Sequence, residues 1–244
     1  MELQKVTRDE KGSERRGHGR WYDDACGAAF AMELIGERWS LPVLRELMMG
    51  GRRFSDIRAS LPGISARMLT ERLASLEAAG IVRRETLGAP TPARLYALTP
   101  WGLALEPVMQ ELGRWSVRSP DFNPALPLTP VSLMLSMRTM IDPDAAQGWD
   151  VSVRFEVGEE RFDGVLSGGE LRIARAPAEP VPVDLIFRAP NANAYLWVFY
   201  GKQPLGAPGM TLEAEGDPAL VRRFIAMFAL PERLDGTRKR DADA

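Results

Sequence analysis

The sequence predicts an α+β fold in two parts, and three observations predict it. Residues 52–99 (RRFSDIRASLPGISARMLTERLASLEAAGIVRRETLGAPTPARLYALT) read as a short helix, a tight turn, a longer helix and a two-stranded hairpin. A segment rich in Pro, from Ser119 to Pro130, then breaks the pattern. Beyond it, short strand-like runs lie between a helix at each end, as in an α+β domain with a mainly antiparallel sheet. At 244 residues the chain is long enough for two domains. The expected division is a flexible arm (1–20), a helical domain with a hairpin (21–120), a linker (121–130), an α+β domain (131–231) and a disordered charged tail (232–244).

The elements follow in order. A first helix is expected from Ala25 to Ile35, ended by Gly36. Trp39–Met49 reads as a second, with Pro42 near its first turn, where proline is tolerated. Gly50-Gly51 stops it. Phe54–Leu61 is a short third helix, and Pro62-Gly63 is a turn signal. Ser65 supplies an N-cap for a helix to Ala79, closed by Gly80. Ile81–Leu87 and Leu95–Leu98 are strands around a loop with Gly88, Pro90 and Pro92. One long helix, Leu103–Val117, completes this part. Val131–Met140 reads as a helix, followed by strand-like runs at Trp149–Val157, Arg161–Leu166, Glu170–Ala174 and Val183–Arg188. Gly164 and Gly168-Gly169 are read as turns between or inside these runs. Ala194–Tyr200, Thr211–Glu215 and a terminal helix Pro218–Phe228 close the chain.

Composition narrows the function classes. A hydrophobic content of 45% with 26% charged residues is that of a soluble globular protein. No apolar run is long enough to cross a membrane, and the polar start lacks a secretory signal. A single Cys excludes an internal disulfide, so the cytoplasm is the expected compartment. The net charge of -2 hides an asymmetry: residues 1–120 hold 18 basic against 15 acidic side chains, and residues 121–244 hold 13 against 18. The window 52–94 alone has eight Arg and four acids. Such a split suggests a nucleic-acid-binding part beside an acidic one.

On the helix from Ser65, Leu69, Leu73 and Leu76 fall within one narrow stripe, with Ala66 beside it. Arg67 and Glu71 lie opposite, flanked by Met68 and Thr70. In a winged helix-turn-helix these early positions face base edges. Arg67 has the two-donor fork that reads guanine, and Glu71 can accept from cytosine or hold Arg67 as an i, i+4 pair. Ser65, Thr70 and Arg72 reach toward phosphates, although Arg72, at the edge of the stripe, can instead lie along the helix. An ordinary amphipathic helix has the same projection. The short helix, the Pro-Gly turn and the Arg-flanked hairpin favour DNA, with Arg83 and Arg84 leading into the hairpin and Arg94 leading out. Ser55, at the start of the third helix, joins the expected contacts.

The stretch Cys26–Trp115 resembles the HxlR family of bacterial winged-helix regulators. The matching pieces are the leading Cys, Leu34-Ile35-Gly36-Glu37-Arg38-Trp39, Leu44-Arg45-Glu46-Leu47, Arg53-Phe54-Ser55-Asp56-Ile57, Leu61-Pro62-Gly63-Ile64-Ser65, Leu69-Thr70-Glu71-Arg72-Leu73, Leu76-Glu77-Ala78-Ala79-Gly80-Ile81-Val82 and Tyr96-Ala97-Leu98-Thr99-Pro100, with Gly102. The resemblance implies a homodimer whose terminal helices pair on a near-palindromic operator. It also implies Ser65 and Arg67 at the DNA face, and Arg83, Arg84 and Arg94 in or beside the wing. In that family the leading Cys sometimes senses oxidants or electrophiles. Here Gly27 follows Cys26 where Pro is frequent, so the pattern is relaxed.

The second half resembles the sterol carrier protein-like fold in the strand pairs around Gly164 and Gly169, in Val183-Asp184-Leu185, Tyr200-Gly201-Lys202 and Glu215-Gly216-Asp217, and in the closing helix. That fold implies an apolar tunnel for lipid-like ligands. Tyr195, Leu196, Trp197, Phe199 and Met210 are candidates to line it, with simple core the preferred reading of these residues.

Other chemistry is poorly served. His18 lies alone in the arm, so one His and one Cys make neither a zinc site nor a Cys-His or Ser-His-Asp set. Glu156, Glu159, Glu160 and Asp163 read as a solvated face, and Gly50-Gly51-Arg52 lacks the Lys of a phosphate loop. Cys26 is a small apolar residue or, if a cation such as Arg38 lowers its pKa, a sensor thiol. The expected function is a dimeric bacterial transcriptional regulator that binds double-stranded DNA, with no catalytic activity, cofactor, metal or membrane. Control would enter through a small apolar ligand or Cys26. The alternative is a carrier of lipid-like ligands that uses its winged helix for protein contacts.

Overall fold

The structure, a computed structural model, describes residues 22, 24–87 and 93–234. The expected arm, the hairpin tip and the tail beyond Leu234 lie outside the described residues.

The first half is helical with one hairpin: α1 (Gly27–Ile35), α2 (Ser40–Leu47), α3 (Phe54–Ser60), α4 (Ala66–Ala78), β1 (Val82–Leu87), β2 (Ala93–Leu98), α5 (Pro100–Leu103) and α6 (Glu106–Ser116). Ser65 caps α4 by accepting from the Met68 N–H at 3.1 Å. Gly80, at φ 73, turns the chain out of it, a conformation that favours glycine. Leu69, Leu73 and Leu76 pack against Val43, Leu44 and Leu47 of α2 and Ile57 of α3 in one buried cluster. The single helix expected over Leu103–Val117 is two, α5 and α6. The cause is Pro107. It sits in the first turn of α6, where a missing N–H is harmless, whereas in a continuous helix its ring would strike the Leu103 carbonyl.

The second half comprises α7 (Pro130–Met140), β3 (Asp150–Val157), β4 (Glu160–Ser167), β5 (Glu170–Arg175), β6 (Leu185–Ala189), α8 (Ala192–Phe199), β7 (Glu213–Glu215) and α9 (Pro218–Ala226). The sheet runs β5-β4-β3-β6-β7. It is mixed: β3 and β6 are parallel, joined by a crossover, and the other pairs are antiparallel. Gly164 is no turn. It stands inside β4 opposite Val153, where a Cβ would meet Val153 Cγ1 at 3.0 Å.

Ala194–Tyr200, given no element type from the sequence, is the helix α8, capped by the Asn191 side chain, which accepts from the Ala194 N–H at 3.2 Å. This corrects the expected pocket. Helical spacing sends Tyr195 and Phe199 into the core, fully buried, with Phe155, Phe187, Phe224 and Phe228 in a connected aromatic cluster. Met210 is half-buried against the same core. Of the named candidates, Leu196 and Trp197 line a cavity. The Tyr195 hydroxyl lies 2.7 Å from the Phe187 carbonyl and 2.9 Å from that of Glu156, and burial pushes its pKa well above the usual phenol value.

A polar network joins the halves. The Glu46 carboxylate, fully buried at the end of α2, accepts from Arg52 Nη1 at 2.6 Å, Arg45 Nη2 at 3.0 Å and Thr129 Oγ1 at 2.8 Å. Arg52 also faces Glu160 of β4, which pairs with Arg175 of β5 at 2.6 Å. Glu160 is therefore a paired, half-buried group rather than part of a solvated face. Arg138 of α7 meets Glu106 of α6 at 2.7 Å. The first residues of the expected tail are tied down too: the Leu234 N–H donates to the Arg118 carbonyl at 2.9 Å.

Removing one partner from a buried ion pair strands the other, at a cost of about 3–5 kcal/mol. Glu46→Ala should therefore lower the unfolding free energy from urea titration by that much and move the midpoint down with it, while Arg172→Ala, in an exposed pair with Glu170, leaves both in place. Equal midpoints for Glu46→Ala and the unaltered protein would discount the network.

Candidate nucleic-acid interface

The exposed end of α4 is built by its own cap. Ser65 uses its lone pair to hold the Met68 N–H, which leaves its hydroxyl proton to donate outward. Arg67 follows, its side chain 90% exposed, with Nε donating to Glu71 Oε1 at 2.9 Å. That hydrogen bond, and then the Glu71 charge, raise the Arg67 pKa above its already high value, so it stays cationic. Thr70 is exposed, its hydroxyl donating to the Ala66 carbonyl at 2.9 Å, with lone pairs free to accept. Ser55 is exposed on the first turn of α3, bonded to Asp56 Oδ1 at 3.0 Å. Sequence reasoning passed over two neighbours. Arg53, the N-cap of α3, and Arg58, in its last turn, are both exposed, and the run RRFSDIR was their signal.

Other expected contacts are placed differently. Arg72 is only 5% exposed and paired with Glu37, so it does not reach a phosphate: it lies against the core beside Leu69, Leu73 and Leu76. Met68 is half-buried against the same cluster. In the hairpin, Thr86 faces Arg94 and Arg84 faces Tyr96 across the strands, which puts these four on one face and Arg83 on the other. Arg84, still half exposed, is held against α4, 2.8 Å from Glu77 and over the Tyr96 ring at 5.6 Å. Arg83 pairs with Glu85 at 2.5 Å. Arg94 is exposed, with no ion pair among the described residues.

The set is a helix-turn-helix with its second helix presented N-terminus outward and an Arg-bearing hairpin after it. Residues 34–121 match the profile described as HxlR-like helix-turn-helix. The chain is 40% identical over 87 residues to the uncharacterized HTH-type transcriptional regulator YvaP of Bacillus subtilis (strain 168), covering 35% of this chain and 80% of that one. The chain belongs to the HxlR-like helix-turn-helix family. It is also similar to YodB, an HTH-type transcriptional regulator of the same organism, at 41% identity over 86 residues (35% of this chain, 77% of YodB). YybR, likewise from Bacillus subtilis, is 35% identical over 98 residues, covering 40% of this chain and 78% of that one. The protein is thus a helix-turn-helix transcriptional regulator of the HxlR type, and its relatives are regulators rather than enzymes. Among the described residues no helix is long and apolar enough to cross a membrane, and no group of His, Cys, Asp and Glu has the arrangement of a metal site.

Cys26 of this HxlR-like chain is exposed at the N-cap of α1. The cation proposed from the sequence is engaged elsewhere, with Arg38 over the Trp39 ring at 5.4 Å. The amide groups of Ala29 and then Ala28, at the helix N-terminus, favour the thiolate and hold the Cys26 pKa below its usual value. The rate of alkylation by iodoacetamide should therefore reach half its maximum at a lower pH for Cys26 than for a free cysteine peptide. Coincident midpoints would remove the helix N-terminus as an activating group.

Proposed function

We propose that the protein binds a near-palindromic operator as a homodimer, with the exposed end of α4 in the major groove and the hairpin on the adjacent backbone. The observation that carries the reading is the division of α4. Leu69, Arg72, Leu73 and Leu76 are buried, and Ser65, Arg67 and Thr70 are exposed on the other side near its N-terminus. The reading gives Arg67 and Glu71 to base edges, Ser55, Ser65 and Thr70 to phosphates, and Arg83, Arg84 and Arg94 to the wing. Arg84 would have to leave Glu77 to take part. Such a role places the protein in the cytoplasm.

An exposed apolar stripe supports the dimer. Val108, Leu112 and Trp115 recur at helical spacing on α6, with Trp115 74% exposed, and Phe30 and Met32 of α1, Trp101 and Leu103 are exposed too. A stripe of this kind is stable in water when a second copy covers it. Control enters through the second half or through Cys26. Three features favour a sterol carrier protein-like second half: a helix before a three-stranded meander, a crossover to a strand parallel to the first, and helices packed on one sheet face only.

Arg67→Ala should weaken binding to the operator by roughly ten- to a hundredfold and binding to scrambled DNA much less, in gel-shift titrations at fixed salt. Equal losses on both would remove base reading from Arg67. Trp115→Asp should convert the dimer to a monomer in sedimentation experiments, and an unchanged mass would put the dimer contact elsewhere.

A further inference from the structure

A cavity of about 580 Å³ lies between α8, α7 and the segment joining the two halves. Its volume is in the range of small-molecule sites, roughly 300–1,000 Å³. It is separate from the space between the sheet and its helices, which the aromatic cluster fills. One wall is the outer face of α8, where Asn193, Leu196, Trp197 and Tyr200 recur at i, i+3, i+4 and i+7. The opposite wall is the joining segment, chiefly Phe122, Pro124, Leu126 and Leu128. Trp197, 52% exposed, stands at the rim as a large aromatic surface left open to water.

The polar groups define what fits. Among the described lining residues there is no Lys, Arg or His, and the one charged side chain is an acid, Asp121. The Ser136 and Tyr200 hydroxyls are hydrogen-bonded to each other at 2.8 Å. Asn193 is spent on the opposite wall: its Nδ2 donates to the Leu126 carbonyl at 3.1 Å, and its Oδ1 accepts from the Leu128 N–H at 3.3 Å. A carboxylate or phosphate here would lose water and gain no cation from the lining, and Arg233, which reaches the joining segment, is spent on the Phe122 carbonyl at 2.5 Å. An uncharged apolar molecule would gain contact with Trp197 and the leucines, and one oxygen or nitrogen on it can join the Ser136–Tyr200 pair.

We propose that this cavity is an effector site for an uncharged, ring-containing apolar molecule and that it rejects fatty-acid-like anions. Its occupant presses on the segment that ends at Thr129, whose hydroxyl donates to the buried Glu46 of α2. The binding stands by itself. The consequence for DNA rests on the operator-binding reading above.

The full chain would be titrated with N-phenyl-1-naphthylamine and with 8-anilinonaphthalene-1-sulfonate, fluorescent probes that share a ring system and differ by a sulfonate. The neutral probe should saturate at one per chain and bind at least about tenfold more tightly than the sulfonate. Leu126→Trp, a change at an exposed residue of the mouth, should weaken the neutral probe by a similar factor with the unfolding curve unchanged. Trp197→Phe should reduce energy transfer from tryptophan to the bound probe. Equal or tighter binding of the sulfonate would overturn the charge selectivity. Neutral-probe affinity unchanged by Leu126→Trp together with energy transfer unchanged by Trp197→Phe would overturn the site. In gel shifts the neutral probe should change operator affinity for the unaltered chain and not for Leu126→Trp. Operator affinity indifferent to a bound probe would overturn the coupling alone, whereas a chain that never binds operator better than scrambled DNA would overturn the operator reading and leave the cavity standing.

Discussion

The structure turns on one buried carboxylate. Glu46 has no water to solvate it, and a bare charge there would be intolerable without donors. It obtains them from three places in the chain. Arg45 comes from its own helix, Arg52 from the segment after it, and Thr129 from the start of α7. Each donor is itself fixed. The Arg52 backbone exchanges hydrogen bonds with Tyr96 of β2 at 2.9 and 2.8 Å, so the same residue that neutralises Glu46 also sets the hairpin beside α2. Thr129 Oγ1 accepts from the Ser132 N–H at 3.0 Å and so begins α7. Through Arg52 and Glu160 the arrangement continues into the second sheet. A network of this kind adds less stability than an apolar core of the same size, but it permits one arrangement of its members.

That arrangement explains why α4 can be so divided. Its inner face includes a guanidinium, Arg72, that the sequence places in the buried stripe. The fold accepts it because Glu37, just ahead of α2, supplies a carboxylate. With Arg72 turned inward, the exposed cations of α4 reduce to Arg67 among the described residues, and the surrounding positive surface comes from α3 and the hairpin instead. The acids beside these cations matter as much. Glu71, Glu77 and Glu85 hold Arg67, Arg84 and Arg83 in preset positions, so any anion that approached them would compete with a carboxylate already in place. Competition of this sort weakens indiscriminate binding to any polyanion and favours partners whose geometry reproduces the paired arrangement.

The local features of the fold were legible and the long-range ones were not. Ser65 and Gly80 delimit α4 because capping and left-handed closure are local chemistry, and the leucine stripe follows from a helical period alone. Pro107 was equally local and was missed: a helix run from Leu103 leaves it inside, with its ring against the Leu103 carbonyl. The second half misled for a different reason. Ala194–Tyr200 is apolar almost throughout, so alternation and helical period fit it about equally, and the cap that decides the matter lies three residues earlier at Asn191. The pocket role for Tyr195 and Phe199 came from the resemblance to the sterol carrier protein-like fold, and the helix gives both to the core, which the residues themselves already favoured. The Glu46 network was beyond reach, since its carboxylate and Thr129 are 83 residues apart and neither belongs to a motif.

The two halves share more than a polar contact. Met49, two residues past the end of α2, is buried in the second core, and Met109 of α6 packs against both clusters. Arg114 of α6 donates to the Thr139 carbonyl of α7 at 3.1 Å, beside the Glu106–Arg138 pair. Sliding one half over the other would expose methionine surface and break buried ion pairs at the same time. Small independent motions of the second half are therefore expensive. A signal that enters there has two outcomes: it is absorbed locally, or it shifts the joined body through the segment that ends at Thr129. The part of that segment tied to α8 by Asn193 alone, rather than by a buried charge, is where the structure yields first.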